Sequence, residues 1–154
     1  MPAIDTGRSV SRVGGASQLP AYRALVGPLK LFYSQFEELE SFSKFGVQMD
    51  KETLSRLKRG KAIRNALIQR QYQMVDVATQ IGLFLALKEG LLDDIGEDKI
   101  IQAQDLIHNI LINKFPDFTK SMVKDKEKIS DKMKVTLLTE FQKSFEKKGL
   151  IQPQ

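Results

Sequence analysis

Residues 77–89 constrain the fold most, because most side chains in this segment are apolar and they leave little polar surface. Asp76 directly before it is a good N-cap, and Gly90 directly after it is a good helix terminator. A helix that is apolar on nearly all sides is stable in water only when other elements surround it. The segment therefore predicts a central helix buried by the rest of the chain. Its apolar residues include Val77, Ala78, Ile81, Leu83, Phe84, Leu85 and Leu87.

A short helical turn is predicted over residues 20–26, and it is expected to end at Gly27-Pro28. From Leu29 onward, apolar side chains recur at steps of three and four residues, which places them on one helical stripe. Gly46 is expected to end this helix. The stripe consists of Phe32, Phe36, Leu39, Phe42 and Phe45.

The next helix is predicted to begin after Asp50, which is a good N-cap. Gly60 is expected to weaken its middle, because glycine has a low helix propensity. The periodic pattern lapses after this helix, which predicts an irregular connection over residues 69–73. The side chains expected to face inward are Leu54, Leu57 and Ile63.

Two further long helices are predicted after the central one, opened by Glu97 and Ser130, with Pro116 restarting the chain between them. No strand-like alternation of any length occurs outside the first dozen residues. The chain is therefore predicted to be all-α, folded as a helical bundle. The side chains expected inside are Ile100, Ala103, Leu106, Ile107, Ile110 and Leu111 in one helix, and Met133, Leu137, Leu138, Phe141 and Phe145 in the other.

The composition excludes several classes of protein. The chain has no cysteine, so it has neither a disulfide framework nor a thiolate metal site. Its longest apolar run, residues 81–87, is far shorter than the roughly 20 residues that span a bilayer. The net charge is +5, but basic and acidic residues alternate over residues 120–148. That alternation is typical of a solvated helix face, and a nucleic-acid or anionic-membrane surface is the alternative.

The first fifteen residues have no helical period, and they place Arg12 among small hydroxyl residues before Gly14-Gly15. A guanidinium presented in this way can donate a rigid fork of hydrogen bonds to phosphate oxygens. An arginine supplied by a neighbouring subunit can stabilise the charge that develops during phosphoryl transfer. A solvated arginine in a tail is the alternative that these residues leave open.

Other polar groups have simpler interpretations. His108 is the only histidine and has no partner at ligand spacing, which favours a plain helix-surface histidine. The pair Asp93-Asp94 is favoured as a turn between helices over a cation or acid–base site. Gln69 and Gln71 offer amides to a nucleobase, and a polar loop is the simpler interpretation. The sequence has no Gly-rich phosphate loop and no dinucleotide fingerprint, so an enzyme acting alone has little support.

Several motifs together resemble the alpha subunit of F-type ATP synthases. Pro2-Ala3-Ile4-Asp5 and Ser9-Val10-Ser11-Arg12 resemble the signature that the alpha and beta subunits share. Further motifs resemble the alpha subunit in particular, in the same order and with little or no gap. They are Val13-Gly14-Gly15-Ala16-Ser17-Gln18, Gln35-Phe36-Glu37-Glu38-Leu39, Phe45-Gly46, Arg59-Gly60, Gln69-Arg70-Gln71-Tyr72 and Gly90-Leu91-Leu92-Asp93.

The resemblance implies that the chain is the C-terminal part of an alpha subunit, split or truncated. Residues 1–18 would be a remnant of the nucleotide-binding domain, and residues 19–154 would be the C-terminal helical bundle. Arg12 would reach in trans to the phosphate of nucleotide in a neighbouring beta subunit, with Ser11 beside it in the catalytic site. The residues implied near the base of nucleotide at the alpha subunit's own, non-catalytic site are Gln69, Gln71 and Pro2.

The resemblance also implies cofactors and partners. The cofactor would be ATP or ADP with Mg, at sites completed by other chains, and no metal is expected on this chain alone. The partners would be the N-terminal part of the alpha subunit, beta subunits, the central-stalk gamma subunit and other ATP synthase subunits. No nucleic acid and no direct membrane span are expected. The chain would take part in proton-driven ATP synthesis by a rotary motor, without activity of its own.

The implied location is the matrix side of the mitochondrial inner membrane, with the bacterial cytoplasm and the plastid stroma as alternatives. The sequence departs from the family at Val47-Gln48, where the loop that faces the rotor usually has Ser-Asp, and at Met1, where the family usually has arginine. A free-standing helical interaction module, or a basic nucleic-acid-binding protein, is the alternative of a different class.

Overall fold

Six α-helices and one 3-10 turn make up the part of the chain that the structure, a computed structural model, describes: residues 18–43, 49–68, 75–123 and 128–152. Within those ranges no residue lies in a β-strand, which confirms the predicted all-α fold. The 3-10 turn, Glu97–Lys99, directly precedes the fourth helix. The helices are α1 (Pro20–Ser43), α2 (Lys51–Ala66), α3 (Val77–Lys88), α4 (Ile100–Lys114), α5 (Pro116–Val123) and α6 (Asp131–Lys147).

Helix α3 lies at the centre of the bundle and contacts each of the other five α-helices. The predicted central buried helix is therefore confirmed. Full burial of an aliphatic side chain stabilises a fold by roughly 1.5–3 kcal/mol, so this helix contributes a large part of the hydrophobic stabilisation. Its buried residues are Ala78, Thr79, Ile81, Gly82, Leu83, Leu85, Ala86 and Leu87.

The predicted N-caps Asp50 and Asp76 are confirmed, and Ser130 is the N-cap of the helix that was predicted to begin at about this residue. Each side chain accepts a hydrogen bond from the backbone N–H three residues further on, at 2.7, 3.0 and 3.2 Å respectively. Such a bond satisfies one of the N–H groups that a helix leaves without an internal partner, and it typically stabilises by about 1 kcal/mol. Local sequence therefore determines where α2, α3 and α6 begin.

Helix α1 runs without interruption through Gly27-Pro28, so the predicted break at this position is wrong. Pro28 has no N–H to donate to the helix, but it lies on the exposed side, and Gly27 has no Cβ to clash with the proline ring. The buried stripe continues across the proline, and its packing outweighs the local cost. The buried residues of α1 are Ala21, Leu25, Leu29, Tyr33 and Phe36.

Two side chains that were expected to face inward are exposed: Phe42 is 68% exposed and Leu54 is 54% exposed. Helix α1 has 24 residues and α3 has 12, so at 1.5 Å per residue α1 is roughly twice as long as the central helix. The end of α1 therefore extends beyond the helix that buries its middle. The predicted Phe45 and Gly46 lie outside the described residues.

The other predicted core positions of α2, α4 and α6 are largely confirmed. Leu106, Met133 and Leu138 are only partly buried, and they pack against the edge of the core. None of the described helices is long and apolar enough to cross a membrane. The fully or largely buried predicted positions are Leu57, Ile63, Ile100, Ala103, Ile107, Ile110, Leu111, Leu137, Phe141 and Phe145.

Candidate functional site

The residues predicted to carry function all lie outside the described part of the chain: Arg12 and Ser11, Pro2, and Gln69 and Gln71. The structure does describe the residues on both sides of the segment 69–74, which connects α2 to α3. The candidate site therefore consists of the side chains that hold the two ends of this connection.

The end of α2 is held by helix α4. Gln104 Nε2 donates a hydrogen bond to the backbone carbonyl oxygen of Ala66, the last residue of α2, at 3.0 Å. Gln104 is partly buried, so this bond is shielded from water. A carbonyl at the end of a helix has no partner within the helix, and the glutamine amide supplies one.

The start of α3 is held by a chain of two side-chain hydrogen bonds. Gln80 Nε2 donates to the backbone carbonyl oxygen of Val75 at 2.8 Å, and Tyr22 of α1 donates its hydroxyl to Gln80 Oε1 at 3.2 Å. Burial raises the pKa of Tyr22, so its hydroxyl remains protonated and able to donate. The Tyr22 ring also meets the Phe84 ring edge to face, with the centroids 5.2 Å apart.

A half-open cavity of about 140 Å³ lies between these two anchored ends. Its wall is mostly apolar, and the amides of Gln80 and Gln104 are its polar groups beside the Tyr22 hydroxyl. The cavity is therefore directly beneath the point where the connection leaves and re-enters the bundle. It is lined by Tyr22, Ala66, Leu67, Ile68, Val75, Gln80, Leu83, Phe84, Ile101 and Gln104.

His108 lies on the surface of α4, as predicted, with its side chain 44% exposed, and it also belongs to a hydrogen-bonded cluster. Its Nδ1 lies 2.9 Å from Asp76 Oδ2 and 2.9 Å from Thr79 Oγ1, and the Thr79 hydroxyl donates to the same Asp76 oxygen at 2.5 Å. Burial by itself raises the pKa of Asp76, but the hydrogen bonds from Thr79 and His108 outweigh it and hold the pKa below its usual range.

This cluster differs from a nucleophilic triad. In such a triad the imidazole accepts the proton of the hydroxyl, whereas here the Thr79 hydroxyl donates to Asp76. The hydroxyl and the imidazole thus converge on one carboxylate. The arrangement fixes the N-cap of α3 to helix α4, and it provides no activated nucleophile.

Asp93 and Asp94 form a turn between α3 and α4, as predicted, and both are paired. Arg59 Nε donates to Asp93 Oδ2 at 3.0 Å, and Lys58 pairs with Asp94. Burial raises the pKa of Asp93 in spite of the neighbouring guanidinium of Arg59. No three acidic or histidine side chains of the described residues are grouped so that they could hold a metal ion.

Sequence reasoning missed Gln80, Gln104 and the role of His108. One signal was present, because Gln104 and His108 are four residues apart and so share one face of a helix. Their partners were not visible, since the partners are more than 30 residues away along the chain.

The described residues define an all-α helical bundle in which polar side chains hold both ends of the connection between α2 and α3. Residues 18–145 match the C-terminal domain of the ATP synthase alpha/beta chain. The match covers most of the chain, which therefore belongs to this family.

Several curated relatives are ATP synthase alpha subunits. Subunit alpha 2 of Syntrophus aciditrophicus is 52% identical over 107 residues, covering 70% of this chain and 21% of the relative. Subunit alpha 1 of Rhodopirellula baltica is 43% identical over 127 residues, covering 82% of this chain and 25% of the relative. Subunit alpha 1 of Marinomonas sp. is 39% identical over 138 residues, covering 90% of this chain and 27% of the relative.

The chain thus spans about a quarter of the length of these relatives, and it matches alpha subunits. The relatives are bacterial, so they give no support to the expected mitochondrial location.

Proposed function

We propose that this chain is the C-terminal portion of an ATP synthase alpha subunit and that it works within the catalytic head of the complete enzyme. The observation that carries the proposal is the family match over residues 18–145, which coincides with the described helical bundle. Residues 1–18 belong to the nucleotide-binding domain in this proposal, and residues 19–154 form the bundle. A separate polypeptide would supply the N-terminal part of the subunit.

Arg12 is the proposed functional residue of the first segment, with Ser11 beside it. The proposal rests on the motif Ser9-Val10-Ser11-Arg12 and on the chemistry of the guanidinium, which donates a rigid pair of hydrogen bonds to phosphate oxygens. Arg12 acts in trans, on nucleotide held by a beta subunit, and stabilises the charge of the transferring phosphoryl group.

Gln69, Gln71 and Pro2 are the proposed contacts to the base of a nucleotide at the alpha subunit's own site. A glutamine amide offers a donor and an acceptor together, which matches the edge of adenine. When bound, the Mg nucleotide supplies the phosphates and their charge. No described cluster of acidic or histidine side chains fits a metal ion, so the groups that hold Mg and the phosphates belong to other chains in this proposal.

The proposed partners follow from the same assembly: the N-terminal part of the alpha subunit, beta subunits, the gamma subunit and the remaining subunits of the enzyme. Because the relatives are bacterial, we place the head at the cytoplasmic side of a bacterial membrane. The overall process is proton-driven ATP synthesis by a rotary motor.

The test is Arg12→Ala in the assembled complex, with Arg8→Ala as the matched control in the same segment. Steady-state ATP turnover is expected to fall by roughly a thousandfold or more for Arg12→Ala and to change little for Arg8→Ala. Co-purification of the other subunits shows whether each variant still assembles. Near-normal turnover in an assembled Arg12→Ala complex would refute the role of Arg12.

The alternative class of protein, a nucleic-acid-binding module, makes a different prediction. A free-standing, basic nucleic-acid-binding module would bind DNA or RNA with an affinity that falls steeply with salt, and it would purify without ATP synthase subunits. In the described part of residues 120–148, Lys134 pairs with Asp131, so its charge is partly neutralised. No structural observation favours this alternative.

A further inference from the structure

His108 is the only histidine of the chain, and its imidazole joins two helices at the start of the central helix α3. Its Nδ1 lies 2.9 Å from Oδ2 of Asp76 and 2.9 Å from Oγ1 of Thr79. Asp76 is the N-cap of α3, and His108 lies in the middle of α4. The cluster of Asp76, Thr79 and His108 therefore attaches the first turn of α3 to α4.

The hydrogen bonds of the cluster determine which ring nitrogen of His108 carries the permanent proton. The Thr79 hydroxyl donates its hydrogen to Oδ2 of Asp76 at 2.5 Å, so toward His108 it can only accept. The ionised Asp76 side chain also only accepts. Nδ1 is therefore the donor whether the ring is neutral or charged. Nε2 has no hydrogen-bond partner among the described residues, so the ring gains and loses its second proton at Nε2.

Asp76 is the negative partner of this ring at neutral pH. Burial by itself raises the pKa of Asp76, but the hydrogen bonds from Thr79 and His108 lower it below its usual range. Histidine is the type of side chain whose ordinary change of charge falls between pH 5 and pH 8. Within that range, the charge that changes in this cluster is the charge on the imidazole.

We propose that the cluster is a pH-sensitive latch, in which protonation of His108 strengthens the attachment of the start of α3 to α4. The hydrogen bonds from Nδ1 persist in both states, and protonation adds the attraction between the imidazolium and the Asp76 carboxylate. This attraction is present at mildly acidic pH, and it is lost as the pH rises and the ring becomes neutral. The inference is independent of the proposed function, because it concerns described residues of this chain alone.

The charges around the ring come from α3 and from α4 itself. Asp76 faces His108 from α3, and the positive end of the α3 helix dipole lies beside it. The dipole is equivalent to roughly half a charge, so the full charge of Asp76 in direct contact outweighs it. On α4, Asp105 precedes His108 by three residues and is exposed. The described parts of α1, α2, α5 and α6 contribute no ion pair or hydrogen bond to His108.

The exposure of the two partners sets the size of the effect. His108 is 44% exposed and Asp76 is 42% exposed, so water screens their attraction. Exposed ion pairs change a folding equilibrium by at most about fivefold. The latch is therefore graded, and the core of the bundle remains packed in both states.

The test is a double-mutant cycle on the full chain, at about pH 5.5 and about pH 8, with His108→Asn and Asp76→Asn. Asparagine at position 108 retains an N–H donor without titrating, and asparagine at position 76 retains a cap acceptor without the charge. Urea unfolding of the wild type, both single variants and the double variant gives the coupling between the positions. A second cycle with Asp105→Asn instead of Asp76→Asn is the matched control, because it removes an equal charge from the same neighbourhood.

The coupling between positions 76 and 108, expressed as a ratio of unfolding equilibrium constants, is expected to be about threefold larger at the acidic pH. The coupling between positions 105 and 108 should change clearly less with pH. Equal coupling of positions 76 and 108 at both pH values would overturn the latch. A change of the same size in the Asp105 cycle would overturn it as well, because the effect would then be a general attraction and not the contact with Asp76.

Discussion

The side chain of Phe36 in α1 lies directly over the backbone of Gly60 in α2. A Cβ at position 60 would overlap Cγ and Cδ2 of Phe36 and would lie 2.7 Å from its Cβ. Phe36 is fully buried, so it has no free space to move into. The glycine that was expected to weaken α2 thus permits the close contact of the two helices.

Gly60→Ala should destabilise the protein by about 2–3 kcal/mol, because overpacking outweighs the gain in helix propensity. Ser55→Ala, at an exposed position of the same helix, is the control and should be neutral or slightly stabilising. Urea unfolding of the two variants measures the difference. Equal unfolding midpoints would show that the contact between α1 and α2 can relax around a methyl group.

Gly90→Ala should destabilise more than Gly149→Ala. Both glycines have a positive φ, of 77° and 65°, which costs an L-residue about 1–2 kcal/mol. At position 90 a Cβ would also overlap Arg59 Nη2 and lie 2.9 Å from Asp93 Oδ2, whereas at position 149 it meets nothing within 4 Å. Thermal unfolding of both variants separates the backbone cost from the cost of displacing Arg59.

Arg64→Met should destabilise by about 1–3 kcal/mol. Arg64 donates two hydrogen bonds to the Glu40 carboxylate, at 2.8 and 2.6 Å, and its Cζ lies 4.7 Å from the Phe36 ring centroid. The bonds to Glu40 raise the pKa of Arg64 above its usual value, and both side chains are mostly buried.

The surface pair of Lys134 and Asp131 is the control for this prediction, since Asp131 is 94% exposed. Lys134→Met should change the free energy of unfolding little, because water and salt screen an exposed ion pair. A double-mutant cycle of Arg64→Met with Glu40→Gln measures the coupling between the buried partners. A coupling no larger than that of the surface pair would contradict the importance of the bidentate geometry.

Stability should fall in acid partly because Asp76 becomes protonated. Its pKa is lowered from 3.8 in the folded protein, so the unfolded chain binds the proton more readily. The contribution is therefore present above the ordinary pKa and is lost as the pH falls through the folded-state value. Asp76→Asn retains an N-cap acceptor but cannot titrate, so its stability should decline less as the pH falls below about 5. The free energy of unfolding of the wild type and of Asp76→Asn is measured with urea at each pH. If it falls equally in both proteins, other groups cause the acid sensitivity.

The sequence was a good guide wherever a feature depends on neighbouring residues. The cap at Asp76 and the mostly apolar composition after it predicted α3 and its burial, because a cap acts over three residues and periodicity over one or two turns. The break expected at Gly27-Pro28 was wrong, because the outcome there depends on packing against other helices and not on neighbouring residues. A local penalty at Pro28 is outweighed by the burial of Leu25 and Leu29 on either side of it.

The candidate site was less predictable than the fold. Gln104 and His108 stand on one helical face in the sequence alone, but Ala66 and Asp76 lie 38 and 32 residues away. No local pattern encodes such a pairing, so His108 could not be distinguished from an ordinary surface histidine.

The sequence by itself therefore determined the helices, their starting points, the central position of α3 and the family to which the chain belongs. The tertiary structure alone decided which faces are covered, as the exposure of Phe42 shows, and which side chains fix the ends of the connection after α2. The reason is physical. Helix formation and capping are short-range interactions. The burial of a helix face, and the hydrogen bonds that hold the ends of the connection after α2, depend on the lengths and contacts of helices that are distant in the chain.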